Sequence, residues 1–105
     1  MSDALVCYCT CPDEAVARRL AEGLVAAQLA ACVNIVPGLT SVYRWQGEIQ
    51  TGAEVLLLIK TDVAHYPALE EQLKREHPYE LPELIAVPLA TGSRPYLEWL
   101  HRSLV

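Results

Sequence analysis

The sequence predicts an α+β fold, a four-stranded antiparallel sheet with helices on one face, and three observations predict it. Residues 31–61 hold two runs rich in β-branched and aromatic residues on either side of a Gln46-Gly47 break, the pattern of a long β-hairpin. One short apolar run, Ala4 to Thr10, precedes the hairpin, and another, Leu84 to Leu89, follows it. Between hairpin and runs lie two segments with apolar residues every three or four positions, the period of amphipathic helices. The resulting order β-α-β-β-α-β, with one more helix at the end, is the split βαβ or ferredoxin-like sandwich. Right-handed crossovers then give the spatial strand order 4-1-3-2 and put both crossover helices on one face. Residues 1–105 form a single domain in this reading, large enough to bury its own core.

Each element has its local reason. Pro12, Asp13 and Glu14 open the first helix, since proline suits a first turn and carboxylates favour the positive end of the helix dipole. Its core stripe reads Val16, Leu20, Leu24 and Ala27, with Arg18, Arg19 and Glu22 on the wet side. Gly23 allows a close approach of helix to sheet. In the hairpin, Gln-Gly is a weaker turn than Asn-Gly, because glutamine does not readily take positive φ. Arms of about 14 residues at ~3.3 Å each span ~46 Å, whereas a compact chain of this length is roughly 34 Å across. The arms therefore bend, at Pro37-Gly38 or Gly52, or lean on another chain. The apolar run from Val55 to Ile59 points to a strand buried on both faces.

Asp62 or Thr61 caps the second helix, whose stripe is Tyr66, Leu69, Leu73 and His77, and Pro78 ends it. Pro88 marks the last strand as a sheet edge. Gly92-Ser93 turns the chain into the final helix, with Leu97, Leu100 and Leu104 on its face and Tyr96 and Trp99 flanking.

Composition narrows the function. A net charge of −5, with no basic cluster beyond Arg18-Arg19 and Lys74-Arg75, argues against nucleic acid as a partner. The start Met-Ser-Asp-Ala lacks a basic leader, and no apolar run approaches the ~20 residues of a membrane span, so a cytoplasmic protein is expected. Cys7, Cys9, Cys11 and Cys32 contain no Cys-x-x-Cys pair and read as reduced thiols. Gly-rich phosphate loop, HExxH and nucleophile elbow are all missing, so no enzyme is expected.

Topology says which side chains meet. The second helix runs antiparallel to its flanking strands, so His77 returns to the end where the fourth strand begins and the first one finishes. Cys9, His77, Tyr79, Glu83 and the hairpin tip with Trp45 and Glu48 share that end; Lys60 lies at the other. His65 and His101 have no ligand-spaced partner and read as surface residues.

Several blocks along the chain carry a resemblance. They are Cys9-Thr10 with Pro12-Asp13-Glu14, the stretch from Leu29 to Gly38, Ser41 to Glu48, Lys60-Thr61, His77-Pro78-Tyr79, Pro82-Glu83, Tyr96-Leu97 and Trp99-Leu100. In these the sequence resembles the CutA family of divalent-cation tolerance proteins. The resemblance implies a homotrimer of ferredoxin-like chains, akin to the PII signalling proteins, and an association with copper and other divalent cations. The family's copper-site pattern is a first-strand cysteine with two consecutive histidines before Pro-Tyr. This chain keeps Cys9 and His77 and carries Glu76 in place of the first histidine. Thiolate and imidazole suit copper or zinc, and a carboxylate is a harder third ligand.

Plainer readings stand beside these. Cys9 also reads as a buried strand thiol, and His77 as a helix C-terminal residue offsetting the dipole. Cys7, Cys9 and Cys11 alternate onto one face, either as a three-thiolate copper site or as small core residues under a helix. Trp45, Tyr43 and Tyr79 line an intersubunit cleft or anchor packing at the hairpin tip. Lys60, Glu83 and Glu48 recognise a small anion or form interface ion pairs. The alternative to a metal-binding tolerance protein is a PII-like trimeric sensor with a small molecule in such clefts, or a structural trimer acting through partners.

Overall fold

In the computed structural model, which describes residues 3–104, the Gln46-Gly47 break closes the longest element pair of the chain. Strand β2 (Cys32–Trp45) and strand β3 (Glu48–Asp62) pair up to Trp45 opposite Glu48, leaving a two-residue loop. Both loop residues have positive φ, 52° at Gln46 and 83° at Gly47, which is the twist-matched type I′ hairpin turn. Glutamine accepts this unfavourable conformation because the two long paired arms fix the chain on either side.

The arms bend at one of the two expected places. Register slips between Val36 and Leu39, so that Pro37 and Gly38 together face Val55. This is a β-bulge, with Gly38 at φ 83° and Pro37 carrying no N–H to lose from the ladder. Gly52 pairs regularly with Ser41. The bend does not fold the ribbon back: the molecule extends 44 Å along its long axis against 25 and 23 Å across. Near the tip Val42 and Ile49 are about two-thirds exposed.

Strand β1 (Ala4–Cys11) pairs with β3 along its whole length, and the short β4 (Ile85–Pro88) pairs with β1 at Leu5 to Tyr8. All pairings are antiparallel and the order is β2-β3-β1-β4, the expected arrangement with Pro88 on the edge strand. Helices α1 (Glu14–Ala26) and α2 (Tyr66–Glu76) cover the same face of the sheet. Into that face point Cys7, Cys9 and Cys11 of β1 and Val55, Leu57 and Ile59 of β3, packed against Ala17, Leu20, Leu24, Leu69 and Leu73. Leu56 and Leu58, on the opposite face, are only half-buried, so β3 alternates rather than being buried on both sides.

Local chemistry sets the helix limits. Asp13 caps α1 by accepting the Val16 N–H at 2.9 Å. The buried face of α1 is Ala17, Leu20, Ala21 and Leu24, which keeps Leu20 and Leu24 of the expected stripe; Val16 is half-buried and Ala27 is exposed, because the helix ends at Ala26. Thr61 does not cap α2 but donates to the Leu29 carbonyl at 2.7 Å, tying β3 to the loop after α1. Asp62 accepts the His65 N–H just before the first turn. Ser93 caps α3 (Arg94–Arg102), whose Leu100, with Leu104 beyond it, packs on Ala31. Among the described residues no helix is long and apolar enough to cross a membrane.

Candidate functional site

The end of β1 is built around a gap. β4 stops opposite Tyr8, two residues before the Thr10 carbonyl. His77 fills the place: its backbone N–H closes α2 on Leu73 O, its ψ of 138° turns the chain out of the helix, and its ring drops into the interior. Nε2 lies 2.9 Å from Thr10 O, and Nδ1 lies 3.1 Å from the Tyr79 backbone nitrogen. A carbonyl can only accept and a backbone N–H can only donate, so the proton sits on Nε2 and the ring is neutral. The ring also packs on Tyr79, with centroids 4.7 Å apart.

Beside it stand two thiols. Cys9 and Cys11 are two apart on one strand, face the same way, and are fully buried. One donor atom from each of Cys9, Cys11 and His77 lies within 4.8 Å of the others. The thiols interact. A hydrogen bond from the Cys9 thiol favours the Cys11 thiolate and lowers the Cys11 pKa against the opposing effect of burial. The same hydrogen bond, then burial and the charges of Cys11, Glu83 and Glu54, raise the Cys9 pKa strongly. Of the two, Cys11 is the one favoured as thiolate.

A polar chain leads outward. The Tyr79 hydroxyl donates to Glu54 at 2.6 Å, and Thr10 Oγ1 donates to Glu83 at 3.5 Å. Burial and the Glu54 carboxylate push the Tyr79 phenol well above its ordinary value. Tyr43, Trp45, Tyr79 and Glu83 line a groove of about 800 Å³ between the ribbon tip and the loop of residues 78–81. Of the residues expected at a cleft or interface, these four share one groove. Lys60 is at the other end of the sheet, bonded to Asn34 Oδ1 and 4.0 Å from Cys32 Sγ.

Glu76 parts from the two residues grouped with it. Its carboxylate lies over Gly23 of α1, 3.6 Å from where a Cβ there would stand, and its carbonyl accepts the Arg19 guanidinium. Adjacent helical positions diverge by about 100°, so with the His77 ring turned inward Glu76 faces the neighbouring helix. Cys11 takes the third place. Its signal was the alternation with Cys9, which served equally well as a core pattern; Glu54, a lone carboxylate before an apolar run, was a fainter one.

Two sulfurs and an imidazole are the donor set of thiophilic and borderline cations, copper and zinc among them. The set fits such an ion in number and kind. The sulfurs are buried and the Cys9 thiol, 3.8 Å from Thr10 O, must give up its proton to ligate; both His77 nitrogens are in hydrogen bonds as well, so the ring can ligate only by giving up the Tyr79 N–H.

Comparison with known proteins places the chain among relatives. The family described as CutA1 divalent ion tolerance protein matches residues 5–103. The divalent-cation tolerance protein CutA of Thermus thermophilus is 55% identical over 94 residues, 90% of this chain and 91% of the relative. That of Pectobacterium atrosepticum is 47% identical over 104 residues, 99% of this chain and 94% of the relative. The crystal structure of CutA from Xylella fastidiosa superposes with a TM-score of 0.96 at 44% identity, covering 99% of this chain and 100% of that one. CutA1 from Oryza sativa superposes with a TM-score of 0.93 at 48% identity, covering 96% of this chain and 93% of that one. On its sequence, its strand order and its superposition alike, the chain belongs to the CutA1 divalent ion tolerance protein family.

Proposed function

We propose that this protein binds thiophilic metal ions, copper or zinc in class, through Cys9, Cys11 and His77, and serves divalent-cation tolerance as its relatives' names state for them. The observation that carries the reading is the convergence of three soft or borderline donor atoms within 4.8 Å. The lowered Cys11 pKa supports it, since a thiolate rather than a thiol is the ligand. Nothing in this role requires turnover, and the relatives are named for tolerance rather than for a reaction.

The same reading takes the protein as a homotrimer in the cytoplasm. Support for assembly comes from the 44 Å ribbon, from exposed Val42 and Ile49 near its tip, and from the exposed edge strand with Ile85 and Val87. Four free cysteines suit a reducing compartment. A small-molecule sensor would use the groove at Tyr43, Trp45, Tyr79 and Glu83; the relatives' names do not favour it.

Calorimetric titration of the reduced protein with zinc and with copper tests the proposal. Cys9→Ala and Cys11→Ala should each abolish or greatly weaken copper binding and remove the thiol-dependent part of zinc binding, and binding should fade in acid as ligand deprotonation becomes harder. If both variants bind as wild type does, the ions sit elsewhere.

A further inference from the structure

A second donor cluster lies at the other end of β1, roughly 25 Å away by strand rise. Asp3 immediately precedes β1, and Asp62 ends β3 opposite Ala4; the Val63 N–H donates to the Asp3 carbonyl and holds the two together. His101 arrives from the last turn of α3, on the side of Leu97 and Leu104, whose burial fixes the helix over this end of the sheet. Two surface-type acids and a histidine remote in sequence thus converge through tertiary packing alone. His101, which the sequence placed on the surface, is only about a quarter exposed.

Each ring nitrogen of His101 faces one carboxylate, at a distance longer than a good hydrogen bond. His101 Nε2 is 3.4 Å from Asp3 Oδ1, and Nδ1 is 3.4 Å from Asp62 Oδ2. Nε2 is shut off from solvent and has no hydrogen-bond partner among the described residues, a costly state for a buried ring nitrogen. One donor atom from each of Asp3, Asp62 and His101 lies within 4.8 Å of the others. Asp62 is buried and held in place from behind: its Oδ1 accepts the His65 N–H at 2.9 Å and meets the His65 ring at 2.7 Å, leaving Oδ2 turned toward His101. Such outer support is what orients a ligating carboxylate. Asp3 is exposed and opens the cluster to solvent.

We propose that Asp3, Asp62 and His101 form a second divalent-cation site, independent of the thiols. Two carboxylate oxygens and one imidazole nitrogen select cations that take mixed oxygen and nitrogen donors, such as zinc, cobalt and manganese, over strictly thiophilic ones. The acidic chain favours any such cation by charge.

The three histidines make the test site-specific. The full-length reduced protein is titrated with zinc while the imidazole 15N–1H signals are followed by NMR. The His101 ring should shift saturably, in Cys9→Ala as in wild type. Asp3→Asn, at an exposed position, should weaken that response at least tenfold. A His101 ring that does not move with zinc overturns the proposal, whether or not it proves doubly protonated as the centre of a plain ion triad. An undiminished response in Asp3→Asn overturns it too. A silent His77 ring beside a responding His101 would instead remove the imidazole from the thiol site and leave this one standing.

Discussion

Replacing His77 by alanine should destabilise the protein in the complete absence of metal. The ring donates to Thr10 O, accepts from Tyr79 N–H, and is itself buried. Two lost hydrogen bonds are worth about 1 kcal/mol each, and leaving the buried Thr10 carbonyl with only the weak Cys9 thiol donor at 3.8 Å adds about 1 kcal/mol more. The sum is roughly 3 kcal/mol or more, on the order of a hundredfold in the folded-to-unfolded ratio. Urea denaturation with chelator and reductant present, at fixed protein concentration, reads this as a lower midpoint at unchanged slope. His77→Gln, whose amide can reach Thr10 O, should recover part of the loss. An unchanged midpoint for His77→Ala in chelator would refute the reasoning, because the ring would then contribute nothing except as a ligand.

Gln46→Asn should raise the urea midpoint modestly, since asparagine tolerates the left-handed conformation that Gln46 adopts at φ 52°; a lower midpoint would argue against the type I′ turn. Burial raises the Cys7 thiol from an ordinary 9.0 to about 11. Between those values the folded chain keeps a proton that the unfolded chain releases, so this stability is full below pH 9 and is lost as pH rises through 11. The loss amounts to about 3 kcal/mol. Alkaline denaturation in chelator should show that decline, and Cys7→Ala should reduce it; a flat profile contradicts the burial. Sedimentation at micromolar concentration should give about three chain masses, falling in Trp45→Ala; a stable folded monomer of wild type would remove the trimer.

Most of the architecture was legible because it rests on period and handedness. Two helical stripes, four extended runs and the crossover rule fix the strand order, and the order alone puts Cys9, His77, Tyr79 and the ribbon tip at one end and Lys60 at the other. What escaped depends on tertiary detail. The first turn of α1 differs from the expected stripe because Val16 and Ala17 are both apolar, so the pattern does not say which faces the sheet. Glu76 and His77 are neighbours in sequence yet face different ways, and only the packing of α1 against Glu76 shows which one turns inward. Cys11 has the same alternation whether it is a ligand or a core residue. His101 meets Asp3 and Asp62 only because α3 docks at that end of the sheet, which no local pattern announces.

X-ray absorption of the reduced, zinc-loaded protein with Asp3 changed to Asn bears most directly on the central claim. The account predicts a first shell with two sulfur scatterers at about 2.3 Å and a nitrogen at about 2.0–2.1 Å. It further predicts that the sulfur contribution disappears in Cys9→Ala or Cys11→Ala made on the same background. A first shell of oxygen and nitrogen alone, with no sulfur, would contradict it.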